Sequence, residues 1–123
     1  MFVLDTSAVI EILKNTENVK KISSLVKNEK IAITSISYYE LLIGEDGDRL
    51  QKVIQFLDSL EILNFDKESA IKSNFIYKEM KVKGKFIGKA DTLIAGICEY
   101  HHLPLITLDK DFKNIKSIEV IMI

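Results

Sequence analysis

Four acidic residues stand where an apolar strand gives way to a helix, or where a helix begins. Asp5 directly follows Phe2-Val3-Leu4, and Asp109 follows Leu105-Ile106-Thr107-Leu108. Glu40 is placed in the first turn of the helix after Ile31–Thr34, and Asp91 at the start of a helix running to His102. Two carboxylates ~4 Å apart repel by about 4 kcal/mol at an effective dielectric near 20. Four together need a cation or a proton to relieve them. Oxygen ligands favour Mg²⁺ or Mn²⁺ over zinc. A zinc set is missing, since Cys98 is the single cysteine and His101-His102 has no partners at ligand spacing. The chemistry expected of the cluster is therefore metal-assisted.

Each acid also has a plainer reading. Asp5, Asp91 and Asp109 are good helix N-caps. Ser37-Tyr38-Tyr39-Glu40 matches a capping box, with Glu40 reaching back to the Ser37 amide. Hydroxyls flank the acids: Thr6 and Ser7 after Asp5, Ser37 before Glu40, Thr107 before Asp109. Thr6, Ser37 and Thr107 are candidates to orient carboxylates or bound waters, and they serve equally as caps or ordinary strand residues.

The elements that must position these residues follow from hydropathy. The runs at 2–4, 31–34 and 105–108 are continuously apolar, as in strands buried on both faces of a parallel sheet. Glu61–Phe65 is a weaker strand, and Ile118–Ile123 reads as an edge. Helical stripes lie between them: Val19, Ile22, Leu25, Val26; Leu50, Val53, Ile54, Leu57; Ile71, Phe75, Ile76, Met80, ending at Gly84; and Leu93, Ile94, Ile97, Cys98, His101, ending before Pro104. Tyr38, Tyr39, Leu42 and Ile43 read mostly as core, with a few left for a dimer seam or a partner groove. Strands alternating with helices predict an α/β fold with helices on both faces. Ligands of such sheets bind outside the carboxyl ends of the strands, where Asp5, Glu40 and Asp109 are delivered.

The 123 residues fit one domain, 1–123. Net charge is −1, so any attraction for nucleic acid must be local. Lys78–Lys89 holds five lysines against one acid just before Asp91. Lys81, Lys83, Lys85 and Lys89 are candidates to hold phosphates, and Phe86 to stack a base or bury in a partner. The plain alternative is a solvated helix end whose lysines suit the helix dipole. A lone cysteine, no leader and no long apolar run predict a cytoplasmic protein without a membrane span.

The segments D-T-S-A-V-I at 5–10, S-x-x-E-L at 37–41, A-D-T-L-I-A at 90–95 and T-L-D-K-D-F at 107–112 together resemble the PIN domain, in particular its VapC-like toxin branch. The resemblance covers essentially the whole chain. It implies a three-layer α/β/α fold with a central five-stranded parallel sheet and a metal-dependent endoribonuclease using Mg²⁺ or Mn²⁺. It carries the acids over to Asp5, Glu40, Asp91 and Asp109, with Asp111 as a second candidate for the fourth. It also implies an RNA substrate, a VapB-like antitoxin partner and a homodimer. One or two ions would supply an activated water and a Lewis acid for the phosphate.

Three other functions compete. One is an RNA-processing nuclease with no toxin role. Another is a metal-dependent phosphatase or phosphotransfer domain, which also places an Asp after its first strand. The phosphatase pattern wants a second Asp where this chain has Ser7, and Asn64/Asp66 poorly match a receiver's phospho-acceptor site. The third is an inactive binding module, disfavoured by the presence of all four acids. A nucleotide P-loop is excluded by the lack of its motif.

Overall fold

Successive residues of the first strand, β1 (Phe2–Leu4), enter different cores: Val3 packs on one side of the sheet and Leu4 on the other. The same alternation separates Ala32 from Ile33 in β2 (Ile31–Thr34) and Leu105 from Ile106 in β4 (Leu105–Thr107). A computed structural model describes all of residues 1–123 and shows why. With β3 (Glu61–Leu63) and β5 (Val120–Met122), these strands form one parallel sheet in the order β3-β2-β1-β4-β5. Ile118–Ile123 does lie at an edge. Each edge strand region carries one acid, Glu61 or Glu119, and these limit further strand pairing.

Helices α1 (Thr6–Lys14), α2 (Asn18–Val26), α3 (Ser35–Leu42) and α4 (Gly47–Asp58) contribute residues such as Val9, Ile22, Leu41 and Leu57 to the core containing Leu4. Helices α5 (Lys67–Val82) and α6 (Lys89–His101) supply Ile76, Met80, Ile94 and Cys98 to the core containing Val3. The layers are thus α/β/α, as expected. No helix is long and apolar enough to cross a membrane.

The chain leaves β1 towards β2 and β3 on one side, then returns to β4 and β5 on the other. This reversal opens a crevice at the carboxyl ends of β1 and β4. A 3₁₀ turn, Lys110–Asn114, follows β4 and is anchored by Phe112, which is fully buried.

Two helix C-termini behaved as the sequence indicates, but some faces did not. Gly84 lies just past α5 with φ +68°, and α6 ends in the left-handed His102 before Pro104. The buried side of α5, however, is Ser69, Ser73, Ile76 and Met80, while Ile71 and Phe75 are exposed. Of the apolar cluster at the Glu40 helix, Tyr38 and Leu42 pack partly buried against the core, while Tyr39 and Ile43 are exposed rather than core; the buried side chain there is Leu41. Leu25 of α2 is also exposed.

The phase of α5 follows from its close approach to α6. A Cβ on Gly96 would lie 2.7 Å from the Ser69 carbonyl oxygen and 2.9 Å from the Ser73 nitrogen. Small residues must face one another there, so the serines turn inward. Ser73 Oγ then donates to the Thr92 carbonyl at 3.1 Å. Gly96→Ala is expected to lower stability by about 1–3 kcal/mol in urea unfolding, as overpacking does. Gly44→Ala, with nothing within 4 Å of its Cβ, is the control that should change little.

Candidate active site

Asp5 ends β1 and caps α1. Its Oδ1 accepts from the Ala8 amide at 3.0 Å and the Ser7 hydroxyl at 2.6 Å, and its Oδ2 accepts from Thr107 at 2.6 Å. The capping reading is thus borne out, and the capping side chain stands at the carboxyl end of β1. Burial pushes the Asp5 pKa up; the Ser7 and Thr107 hydroxyls and the Ala8 amide pull it back, and Asp109 adds to the rise. Thr107 ties β1 to β4 and also accepts from the Asp109 amide at 2.9 Å. Ser7 accepts from the Leu108 amide at 3.1 Å. Ser7 is therefore as closely built into the site as Thr107, and its signal in the sequence was its position two residues after Asp5.

Glu40 differs from expectation in two respects. It lies in the second turn of α3, and the cap is Thr34, whose Oγ1 accepts from the Ser37 amide at 3.1 Å. The capping box is therefore displaced by three residues, which frees the Glu40 carboxylate. Glu40 Oε1 instead accepts from Thr6 Oγ1 at 2.6 Å, with Ser37 Oγ 3.0 Å from the same hydroxyl. Thr6 and Ser37 thus connect the Glu40 carboxylate to the start of α1.

Asp91 does not begin α6. The helix starts at Lys89 with Gly88 as its cap, leaving Asp91 in the first turn. Asp91 Oδ2 lies 3.6 Å from where a Gly88 Cβ would be. A helix dipole favours a carboxylate in this position. Even so, the Asp91 pKa is raised to about 7, first by burial and then by the charges of Asp109, Glu40, Asp5 and Asp111. The four expected acids therefore act on one another electrostatically. Asp109 affects Asp91 most and Asp111 least. Asp109 caps the 3₁₀ turn through the Asp111 amide at 2.9 Å, whereas Asp111 is exposed.

The acids have no cationic side chain for relief. The ion pairs of the molecule are Met1 amine–Glu29, Arg49–Glu45 and Lys83–Glu79, and none includes Asp5, Glu40, Asp91 or Asp109. Nor does any group of three or more His, Cys, Asp or Glu side chains lie close enough together to hold a metal ion as they stand. The acids form an open rim, whose oxygen donors and unbalanced charge suit a hard divalent cation.

The candidate lysines spread beside this rim rather than entering it. Lys81 and Lys83 close α5, Lys85 lies in the following loop and Lys89 opens α6. Lys83 is held by Glu79 at 2.8 Å, as a helix-end lysine would be.

The model of the PIN domain matches residues 2–118. The chain belongs to the PIN domain family. Two similar relatives are the tRNA(fMet)-specific endonuclease VapC of Salmonella typhimurium and the ribonuclease VapC3 of Methanocaldococcus jannaschii. The first is 30% identical over 97% of this chain and 95% of the relative. The second is 35% identical over 77% of this chain and 95% of the relative. Among solved structures, VapBC2 of Rickettsia felis bound to a promoter DNA fragment matches with a TM-score of 0.86 and 28% identity, covering 99% of this PIN domain and 98% of that chain.

The raised Asp91 pKa sets the pH dependence of the metal-free PIN domain. Between pH 3.8 and about 7 the folded protein binds more protons than the unfolded chain at this residue. Stability from this group is therefore complete below pH 3.8 and is lost as pH rises through about 7. Asp91→Asn removes the buried charge. In chelator at pH 8 it should raise Tm by roughly 3–6 °C, about 1 kcal/mol for a domain of this size, with the gain shrinking towards pH 5. A lower Tm for Asp91→Asn at pH 8 would contradict the mutual repulsion.

Proposed function

We propose that this PIN domain is a divalent-metal-dependent endoribonuclease, using Mg²⁺ or Mn²⁺, and the toxin of a VapBC-type pair. The observation that carries the reading is the unbalanced acidic rim: Asp5, Glu40, Asp91 and Asp109 come from four different elements, and burial together with the charges of Asp109, Glu40 and Asp5 raises the Asp91 pKa to about 7 with no cation beside them. The names of the relatives, endonuclease and ribonuclease, support RNA as substrate. The VapBC2 complex among the similar structures supports a VapB-like antitoxin as partner.

In this reading Asp5, Asp91 and Asp109 hold the main ion, and Glu40 joins it or a second one. Asp111 is left to solvent. A bound divalent cation supplies an acidified water and a Lewis acid for the phosphoryl oxygen. The protein's part is to hold the acids in place. Thr107 and Ser7 fix both oxygens of Asp5, and Thr6 fixes one oxygen of Glu40 while leaving the other free. Asp5 is held so firmly that it can bind a cation without reorganising. Attack in line with the leaving oxygen leaves a 5′-phosphate on one product.

The phosphatase alternative asks for an acid where Ser7 stands, and Ser7 is engaged with Asp5 and the Leu108 amide. A processing nuclease without toxin function would use the same rim, and the VapBC complexes among the similar structures favour the toxin.

Asp5→Asn is expected to abolish RNA cleavage while keeping the far-UV spectrum and a cooperative unfolding transition. Chelator should do the same to the wild type, reversed by added Mg²⁺ or Mn²⁺. A fully active Asp5→Asn variant would remove the assignment. Thr107→Val should lower the cleavage rate about 10- to 100-fold, the usual cost of losing a group that orients a metal ligand. An unchanged rate would show that Thr107 only joins the strands.

A further inference from the structure

Between α5, α6 and the loop that joins them lies a cleft of about 480 Å³. Tyr77, Asn74, Phe86 and Lys89 contribute to its wall. The cleft continues past Phe86 into a second hollow of about 320 Å³, bordered by Tyr77, Phe86, Lys81 and Lys85. Phe86 is 84% exposed and Tyr77 is 53% exposed, and both border the same two hollows. They do not pack against each other; the close ring pair of the molecule is Tyr100–His101. A slot between two unpartnered rings is thus left open, with Asn74 as a polar group in its wall.

Charge selects the occupant. Of the lysines here, Lys83 is paired with Glu79, but Lys81, Lys85 and Lys89 have no ion-pair partner. The three free cations border the two hollows. A second copy of the chain would bring three more unpaired lysines onto this face and be repelled. An anionic polymer bearing flat apolar groups satisfies both the cations and the rings.

We propose that this cleft is a binding subsite for one unpaired nucleotide of a single-stranded RNA, its base stacked between Tyr77 and Phe86 and its flanking phosphates held by Lys85 and Lys89. The proposal rests on the nuclease reading for its substrate class, and it assigns the subsite a role in selecting unpaired RNA. Lys89 opens α6 and Asp91 lies two residues on in the same first turn, so the cleft and the acids share one helix end. A base in the cleft therefore fixes which phosphate reaches the acids.

The test is binding of a single-stranded eight-nucleotide RNA containing 2-aminopurine, in chelator so that nothing is cut. Wild type should quench the probe as the base stacks. Phe86→Ala should weaken binding by roughly 5- to 100-fold and lose the quenching. Phe86→Trp should restore both, and the new indole, in a chain without tryptophan, should itself be quenched. Lys89→Gln should reduce the salt dependence of binding by about one phosphate contact. Because Phe86 is exposed, these variants keep their fold, which thermal melts verify. Unchanged affinity and quenching in Phe86→Ala overturn the subsite, even if wild type cleaves RNA in Mg²⁺. Binding that depends on Phe86 supports it, even if no condition yields cleavage and the nuclease reading fails. If Phe86→Ala instead halves the molar mass by light scattering at unchanged affinity, the cleft is a seam between copies and the proposal falls.

Discussion

The hydrogen bond from Thr107 to Asp5 joins the end of β4 to the end of β1, and much of the molecule is arranged around it. A carboxylate only 3% exposed is costly unless its oxygens are satisfied. Here the Ser7 hydroxyl and Ala8 amide serve one oxygen, and Thr107 the other. Those donors exist because β1 and β4 are neighbours, which in turn follows from the 3-2-1-4-5 strand order. Thr107 then receives the Asp109 amide, so the second strand's acid takes its direction from the first. Position of the charges and pairing of the strands are one problem with one solution.

The surrounding acids impose strain of a different kind. Each hydroxyl or amide that faces the rim offers a proton, yet none offers a positive charge. Asp91 bears the result, half-buried among four negative neighbours and with its pKa moved to about 7. Functional sites commonly hold such repulsion, and they are less stable there than substitution would make them. The hydrophobic cores on both faces of the sheet hold the rim against this repulsion. Phe112, sunk in one of them, keeps the turn bearing Asp109 from moving away.

Much of this was readable from residues alone. Short apolar runs gave the strands because a parallel sheet covered on both faces needs apolar groups at every position, as Leu105-Ile106 illustrates. The acids stood out because they ended those runs. Thr34 escaped notice as the cap of α3 because Ser37 also satisfied the pattern, and only the backbone shows which hydroxyl meets an amide. The inward face of α5 was hidden for a related reason. Hydropathy counts Phe75 as core and Ser73 as surface, but a glycine on another helix, Gly96, decides which one fits. Tyr39, Ile43 and Phe86 could not be assigned by composition, since exposure is a property of the packed fold.

The central position of β1 has a consequence for how the protein comes to exist. The hydroxyl that fixes Asp5 is made 102 residues after it. At about 5–20 residues per second the ribosome needs several seconds to deliver it. Until then β1 can pair only with β2, and the acids have no common rim to crowd. Closing so long a loop is slow compared with helix formation. The rim is thus assembled only once β4 has joined β1 in the sheet.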